Sequence, residues 1–411
     1  MRTRNRPSVS SSVDETVRQI KECSEQPPEI TESIVGPDPK TITKDRLVPS
    51  GVTILNCACS DNYEGAFAMG SINTIPGESA SGKTELMLSM LASCALDSRF
   101  GGHELILDDA EHAMSFDLEY LFPPLAGRLK APNYDGENPV YSHTIEDFEG
   151  SLLLLGGKPK SNKEDKKGVE QKQTKRKKSF IYVLDSLDSL SSTAELEREY
   201  KNALKTAKSD EAVKELKKSY GTEKARILGQ VLRMVNGNIK NTDSALFIIQ
   251  QTRQVIADRG IIFGPKWITS GGEAPYFYSF HRVYLSCGRA LTETSKNIKH
   301  QIGGHTYCQV IKNKLNGKKR KSGVEFDIFE DIGIDDVGSC VDFLKMTDVW
   351  QSDAGGITAP EILGNNQKMH RMDLIRHIEK ENAIPELQKL VGKVWNEIED
   401  DIRLKDRKRR F

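Results

Sequence analysis

Between about residue 45 and residue 330, apolar positions fall into short, dense runs that alternate with stretches of helical spacing. The runs "SINTIPG", "HELILDDAE", "SFIYVLDSLDSL" and "SALFIIQQTR" each carry a compact apolar core that ends in polar residues. Runs of this kind fit strands buried on both faces, and their alternation with helices predicts an α/β domain with a central, mostly parallel sheet flanked by helices. Polar groups at such strand ends collect along one edge of the sheet, where open α/β folds carry their chemistry. Between two of the runs, Leu228, Val231, Leu232, Val235 and Ile239 share one face of a helix predicted over 222–239.

The pattern changes outside and within this region. Residues 1–44 are polar and contain Pro27 and Pro28, with one capping box from Ser12 to Glu15 ahead of Val17 and Ile20, so an N-terminal arm, partly helical or disordered, is expected. Two charged insertions interrupt the core. Residues 158–178 lack periodicity and read as a solvated loop; residues 192–220 open on a second capping box, Ser192 to Glu195, and read as helical in part. The core is expected over 45–332, and 333–411 is expected as a small C-terminal domain ending in the basic tail "RLKDRKRRF".

The first run leads into "GESASGKT", which matches G-x-x-x-x-G-K-[ST] and is followed by the apolar helix "ELMLSMLASCAL". Glycines let main-chain N–H groups turn inward around phosphates, and the helix adds the positive end of its dipole. Gly77, Glu78, Ser79, Ala80, Ser81, Gly82, Lys83, Thr84 and the following Glu85 are therefore the nucleotide-binding candidates. ATP with Mg²⁺ is the expected ligand: Lys83 would reach the β and γ phosphates and Thr84 would hold the metal.

Hydrolysis also needs acidic groups, which the other strand ends supply. Asp185 closes "FIYVLD", where it would orient the Mg²⁺ water; Asp108, Asp109 and Glu111 close another run. Glu111 lies beyond its strand and is free to accept a proton from water, although capping a helix is the plainer role for it. Gln250, Gln251 and Arg253 end a third run, where a Gln can sense a γ-phosphate by hydrogen bonding and a polar strand end can also simply be solvated.

Charge and cysteine usage narrow the setting. Lys plus Arg and Asp plus Glu both number 59, so any nucleic-acid partner must be inferred from local clusters. Seven cysteines without a CxxC pair argue against a disulfide framework or zinc site. With no apolar leader and no run of about 18 apolar residues, a soluble cytoplasmic protein without a membrane partner is expected.

The motifs in this order, with "DAEHA", "TSGGEAPYFYSFHR" and "VIKNKLN", resemble the RecA family of DNA strand-exchange ATPases over roughly 45–350. The charged insertions and short arm look most like its phage or prophage versions. The resemblance implies a P-loop RecA-like core that binds ATP between protomers of a helical filament. It also implies DNA-dependent ATP hydrolysis, with single- and double-stranded DNA as partners. Glu111 matches the family's water-activating glutamate, Asp185 its Walker B aspartate and Gln251 its γ-phosphate sensor. Residues 255–278 match the second DNA-binding loop, with Arg253, Gly271 and Gly272 as DNA-binding candidates and Phe277 as the aromatic packed on a neighbour. The first such loop would lie near 217–221. Two positions depart from the family: Leu118 stands where a tyrosine commonly stacks on adenine, leaving Tyr120 or Phe116 as substitutes, and Tyr276 replaces a basic residue.

The stretch "IKNKLNGKKRK", 311–321, has six basic residues in eleven, and Asn316-Gly317 predicts a hairpin turn within it. Lys312 and Lys314, two apart on a strand, point to one face. They match the family's paired lysines, which reach a neighbour's γ-phosphate. Lys318, Lys319, Arg320 and Lys321 are expected as a solvated tip. Two other functions fit the same core: an accessory DNA-binding ATPase that does not exchange strands, and a ring helicase.

Overall fold

The computed structural model describes residues 43–114, 117–156, 178–198, 220–254, 267–365 and 367–403. Nearly all of the expected arm, most of both insertions, the expected first DNA-binding loop apart from its C-terminal edge, the 255–266 half of the expected second one, Phe116 and the basic tail lie outside these residues.

The four apolar runs form β1 (Ser71–Gly77), β2 (Glu104–Asp109), β4 (Phe180–Asp185) and β5 (Ala245–Gln254). The other strands used below are β3 (Leu129–Lys130), β6 (Trp267–Thr269), β7 (His281–Ser295), β8 (Ile298–Asn313), β9 (Arg320–Phe329) and β10 (Gly333–Ile334). Among the described residues they make one sheet in the order β10-β9-β8-β7-β1-β5-β4-β2-β3, with β6 paired to the end of β5. From β7 to β3 all neighbours are parallel. From β7 to β10 they are antiparallel, as is β6 on β5. The phosphate-loop strand β1 thus sits mid-sheet, and β5 separates it from β4.

Both faces of the sheet are covered, and the residues alternate strictly between them. On β5, Ala245, Phe247 and Ile249 enter one hydrophobic cluster while Leu246 and Ile248 enter the other. On β4, Ile181 and Val183 go one way, and Phe180, Tyr182 and Leu184 the other. Period-2 geometry with burial on both sides accounts for the continuous apolar runs. Helix α1 (Thr53–Ser60) and α2 (Lys83–Leu96) cover the first face; α3 (Ile145–Gly156) and α4 (Tyr220–Asn241) cover the second. The five apolar residues predicted on one face of α4 are all buried there.

After 333 come α6 (Asp336–Met346), α7 (Arg371–Lys380) and α8 (Ile384–Asp401). Leu344, Leu374, Leu387 and Val391 from these helices join the same cluster as Leu55 and Leu86, so their packing is continuous with that of the sheet. The capping box at Ser192 forms reciprocally: Ser192 N donates to Glu195 Oε2 at 2.9 Å, and Glu195 N to Ser192 Oγ at 3.2 Å. Among the described residues no helix is long and apolar enough to cross a membrane.

His281, at the start of β7, is fully buried with edge-on contacts to Phe67 and Phe280, 5.6 and 5.3 Å between ring centroids. Burial pushes its imidazole down from 6.5 to about 4. In that interval the unfolded chain binds a proton that the folded chain refuses, so stability rises with pH and is lost as pH falls from 6.5 towards 4. The loss from this one group should approach about 3 kcal/mol. Urea unfolding of the wild type and of His281→Phe across this interval should show a steeper pH dependence for the wild type; equal slopes would exclude the assignment.

Candidate nucleotide site and interface

β1 ends at Gly77, and the chain turns through 78–82 into α2. Ala80 and Gly82 take positive φ, 57° and 81°. A Cβ at Gly82 would stand 2.2 Å from Ile328 Cδ1, so both conformation and space require glycine there. Ser81 Oγ donates to the Glu78 carbonyl oxygen at 2.8 Å, and Lys83 Nζ donates to the same oxygen. The Glu78 carboxylate accepts the Cys287 main-chain N–H at 3.1 Å. Lys83 is buried, which holds its ammonium below the usual lysine range.

Strand alternation decides which polar ends meet this loop. Asp185 has the parity of Ile181 and Val183 and faces α2, where Thr84 Oγ1 donates to its Oδ2 at 2.6 Å. Asp108 has the opposite parity: it accepts Tyr182 Oη at 2.6 Å and Ser142 N at 2.8 Å inside the other layer. Asp109 returns to the site side, where its carboxylate accepts Ala113 N and Met114 N at 3.3 and 3.2 Å. Glu111 Oε1 accepts Ser186 Oγ and, at 3.0 Å, Gln251 Nε2. Gln250, of opposite parity to Gln251, points into the other layer: its Nε2 donates to Ser270 O at 2.8 Å, and its Oε1 accepts Arg282 Nη1 at 3.0 Å.

Burial, with Glu111 and Asp109 adding repulsion, pushes the Asp185 carboxyl up to about 6. A hydroxyl and a carboxylate meeting at 2.6 Å within this negative cluster are a fitting pair of oxygen donors for Mg²⁺. A cavity of about 400 Å³ opens over them, lined by Lys83, Thr84, Glu111 and Asp185 among others. A second cavity of about 410 Å³ lies on the other side of the loop, lined in part by Phe122, Arg289, Gly304 and Phe329. Ala80, Gly82 and Glu85 border both, so a ligand with an anionic tail and a flat apolar end fits across the loop. Tyr120, expected as a stacking substitute, is 67% exposed and does not line this cavity, and Leu118 packs against the core.

The remaining candidates lie along another surface. Arg253 is exposed on β5. Gly271, φ 88°, is buried, and a Cβ there would stand 2.6 Å from Leu228 Cδ2; Gly272, φ 68°, is exposed, with Ala225 Cβ 2.9 Å from a Cβ placed on it. Positive φ at both positions, with Ala225 of α4 close against Gly272, favours glycine at both independently of any ligand. Phe277, on the short helix α5 (Ala274–Tyr278), is 68% exposed, whereas Tyr278 packs against the second cluster. Lys314 Nζ donates to Phe277 O at 3.2 Å, and Lys312 Nζ donates to the carbonyl oxygens of Tyr276 and, at 3.2 Å, Phe277. Burial, followed by Lys314 and Arg282, pushes the Lys312 ammonium down to about 8.

Three further residues belong to this network. Asp188 Oδ2 accepts the Gln251 main-chain N–H at 2.7 Å, while Lys224 Nζ donates to Leu187 O at 2.9 Å and Leu190 O at 2.5 Å. Arg282 is buried on β7. A sequence signal was present for Asp188 and Arg282: a second Asp three residues after Asp185, and an arginine inside the apolar run "HRVYL".

The solvated tip requires correction. β8 and β9 do pair as an antiparallel hairpin around Asn316-Gly317, but only Lys319 and Lys321 are exposed. Lys318 Nζ pairs with Asp61 Oδ2 at 2.6 Å and Glu399 Oε2 at 2.8 Å, and Arg320 pairs with both of the same carboxylates. Glu399 is nearly buried on α8, so half of the basic cluster is a clamp between the hairpin and the C-terminal helix.

Residues 173–335 match the family model described as the RecA N-terminal domain. Among curated proteins, the chain is 28% identical over 298 residues to Protein RecA of Leifsonia xyli, covering 72% of this chain and 67% of the relative. It is 28% identical over 317 residues to Protein RecA of Trichodesmium erythraeum, covering 77% and 72%. With Protein RecA of Mycobacteroides abscessus it shares 27% identity over 344 residues, covering 82% and 81%.

The clamp should carry measurable stability. Glu399→Ala leaves Lys318 and Arg320 with one carboxylate between them and should lower the unfolding free energy by about 2–3 kcal/mol. Lys319→Ala and Lys321→Ala should each stay within about 0.5 kcal/mol of wild type. Urea denaturation reads the difference, and a mild Glu399 variant would count against the clamp.

Proposed function

The chain belongs to the RecA family, and from that premise we propose that it is an ATP-dependent DNA recombinase. It polymerises on single-stranded DNA and promotes pairing and strand exchange with a homologous duplex. The observation that carries this reading is the 3.0 Å hydrogen bond from Gln251 to Glu111, between the proposed γ-phosphate sensor and the proposed general base. Gln251 stands on the strand that runs into the second DNA-binding loop, so a change in its partner at the nucleotide site reaches that loop directly along one strand.

Main-chain N–H groups of 78–84 and the Lys83 ammonium bind the phosphates, Lys83 first leaving the Glu78 carbonyl oxygen. Thr84 and Asp185 would hold Mg²⁺, which would supply positive charge to neutralise the phosphates. Glu111 accepts the proton of the attacking water, with Ser186 on its Oε1 setting the direction of the carboxylate. Gln251 transfers its donor from Glu111 to the γ-phosphate when ATP is present, which frees the base.

Lys312, Lys314 and Phe277 form the surface offered to the next protomer, where the lysines meet that protomer's γ-phosphate. Binding of ATP and assembly are then coupled through one interface, and DNA affinity, held by backbone phosphates, falls steeply with salt.

With ATP, Mg²⁺ and single-stranded DNA, the purified protein should form filaments, hydrolyse ATP faster than without DNA, and exchange strands. DNA-dependent hydrolysis without exchange would favour an accessory ATPase, and closed hexamers a ring helicase. Glu111→Gln should keep ATP and DNA binding while turnover drops at least about a hundredfold; retained turnover would move the base elsewhere. Lys312→Ala with Lys314→Ala should abolish DNA-stimulated hydrolysis, whereas the same changes at Lys319 and Lys321 should not.

A further inference from the structure

Arg282 and Lys312 are direct partners across the antiparallel β7–β8 pair, so two cations face each other on one side of the sheet. Like charges placed this way repel. Arg282 is buried, and its hydrogen bonds all go to neutral oxygens: Gln250 Oε1 at 3.0 Å, Thr269 Oγ1 at 3.1 Å and Thr74 Oγ1 at 3.3 Å. One side chain touches both cations. The Tyr276 ring lies 4.6 Å from Lys312 Nζ and 5.7 Å from Arg282 Cζ, each measured to its centroid. A π face attracts cations at these distances, so the ring offsets repulsion that the strand register builds in.

The contacts form a continuous series. Gln250 bonds to Ser270 at the end of the second loop and to Arg282; Arg282 and Lys312 share the Tyr276 ring; Lys312 reaches the carbonyl oxygens of Tyr276 and Phe277. Gln250 is the sequence neighbour of Gln251, so the series begins on the sensor strand and ends at the surface offered to the next protomer.

We propose that Tyr276 is a positioning residue whose ring holds Lys312 against Arg282 in the orientation that reaches the neighbouring nucleotide, and so couples the sensor strand to the trans-acting lysine. This rests on the reading of Lys312 given above. The ring face does the holding, so the hydroxyl is dispensable. Tyr276 is 44% exposed, and its replacement removes no core volume.

The test compares Tyr276→Phe, Tyr276→Leu, Lys312→Ala and the Tyr276→Leu/Lys312→Ala double variant. DNA-stimulated hydrolysis, nucleotide binding and thermal unfolding are measured for each. Tyr276→Leu should lose about five- to tenfold of the DNA-stimulated rate with nucleotide binding and melting temperature unchanged, and Tyr276→Phe should stay within about twofold of wild type. The double variant should be no worse than Lys312→Ala, because the ring acts only through that lysine. A Tyr276→Leu protein with wild-type stimulation, a Tyr276→Phe protein as impaired as Tyr276→Leu, or a further loss in the double variant would each overturn the coupling while leaving Lys312 in its role. If Lys312→Ala itself keeps full stimulation, the reading of Lys312 fails and the coupling fails with it.

Discussion

A polar residue at the end of a central strand has two directions open to it, because both faces of the sheet are buried and side chains alternate between them. Every functional contact follows from that constraint. Asp185, Asp109 and Gln251 share the parity that faces the phosphate-loop helix, and they gather with Glu111 around Thr84 and Lys83. Asp108 and Gln250, one residue away in each case, enter the other layer. There Asp108 is taken up by Tyr182 and Ser142, and Gln250 by Arg282 and Ser270. A one-residue slip of β5 would exchange the sensor for the structural glutamine.

The same constraint sorts charge. On the α2 side, burial, with the Glu111 and Asp109 carboxylates adding repulsion, raises the Asp185 carboxyl to about 6, and a bound cation would offset both. On the opposite side, Arg282 and Lys312 crowd positive charge with neutral oxygens and an aromatic ring as partners. The chain thus has an anionic pocket suited to a metal-bound phosphate and a separate cationic edge with no phosphate of its own to meet. The two surfaces are complementary in charge, which is the electrostatic basis of the proposal that a second copy meets the nucleotide.

Much of this was legible in the sequence because it is local. The phosphate loop, the four central strands, the face of α4 and the Ser192 capping box each depend on residues within about one element of each other. Glu111, Asp185 and Gln251 were legible as strand ends, and their convergence follows once the strands are parallel. The clamp was not legible: Lys318 and Arg320 meet Asp61 and Glu399 from sequence separations of 257 and 79 residues respectively, and no periodicity encodes such a pairing. Arg282 and Asp188 stand out as charges in or beside apolar runs, but their partners were hidden for the same reason. Each looks like a stray charge until the strand beside it is known. The glycines of the second loop show the converse, since Gly271 and Gly272 are already favoured by their positive φ and by α4 beneath them.

Basic density alone says little about the stretch 311–321, since its six cations have three different environments. Lys312 and Lys314 lie against main-chain carbonyl oxygens on the interface side, Lys318 and Arg320 are neutralised by Asp61 and Glu399, and Lys319 and Lys321 face solvent. An ammonium held by carbonyl dipoles gives up that partner to a phosphate at small cost, whereas one paired with two carboxylates does not. Partner chemistry therefore leaves Lys312 and Lys314 the least tightly neutralised of the partnered cations, in keeping with the role proposed for them. The clamp behind them anchors the hairpin from which they reach.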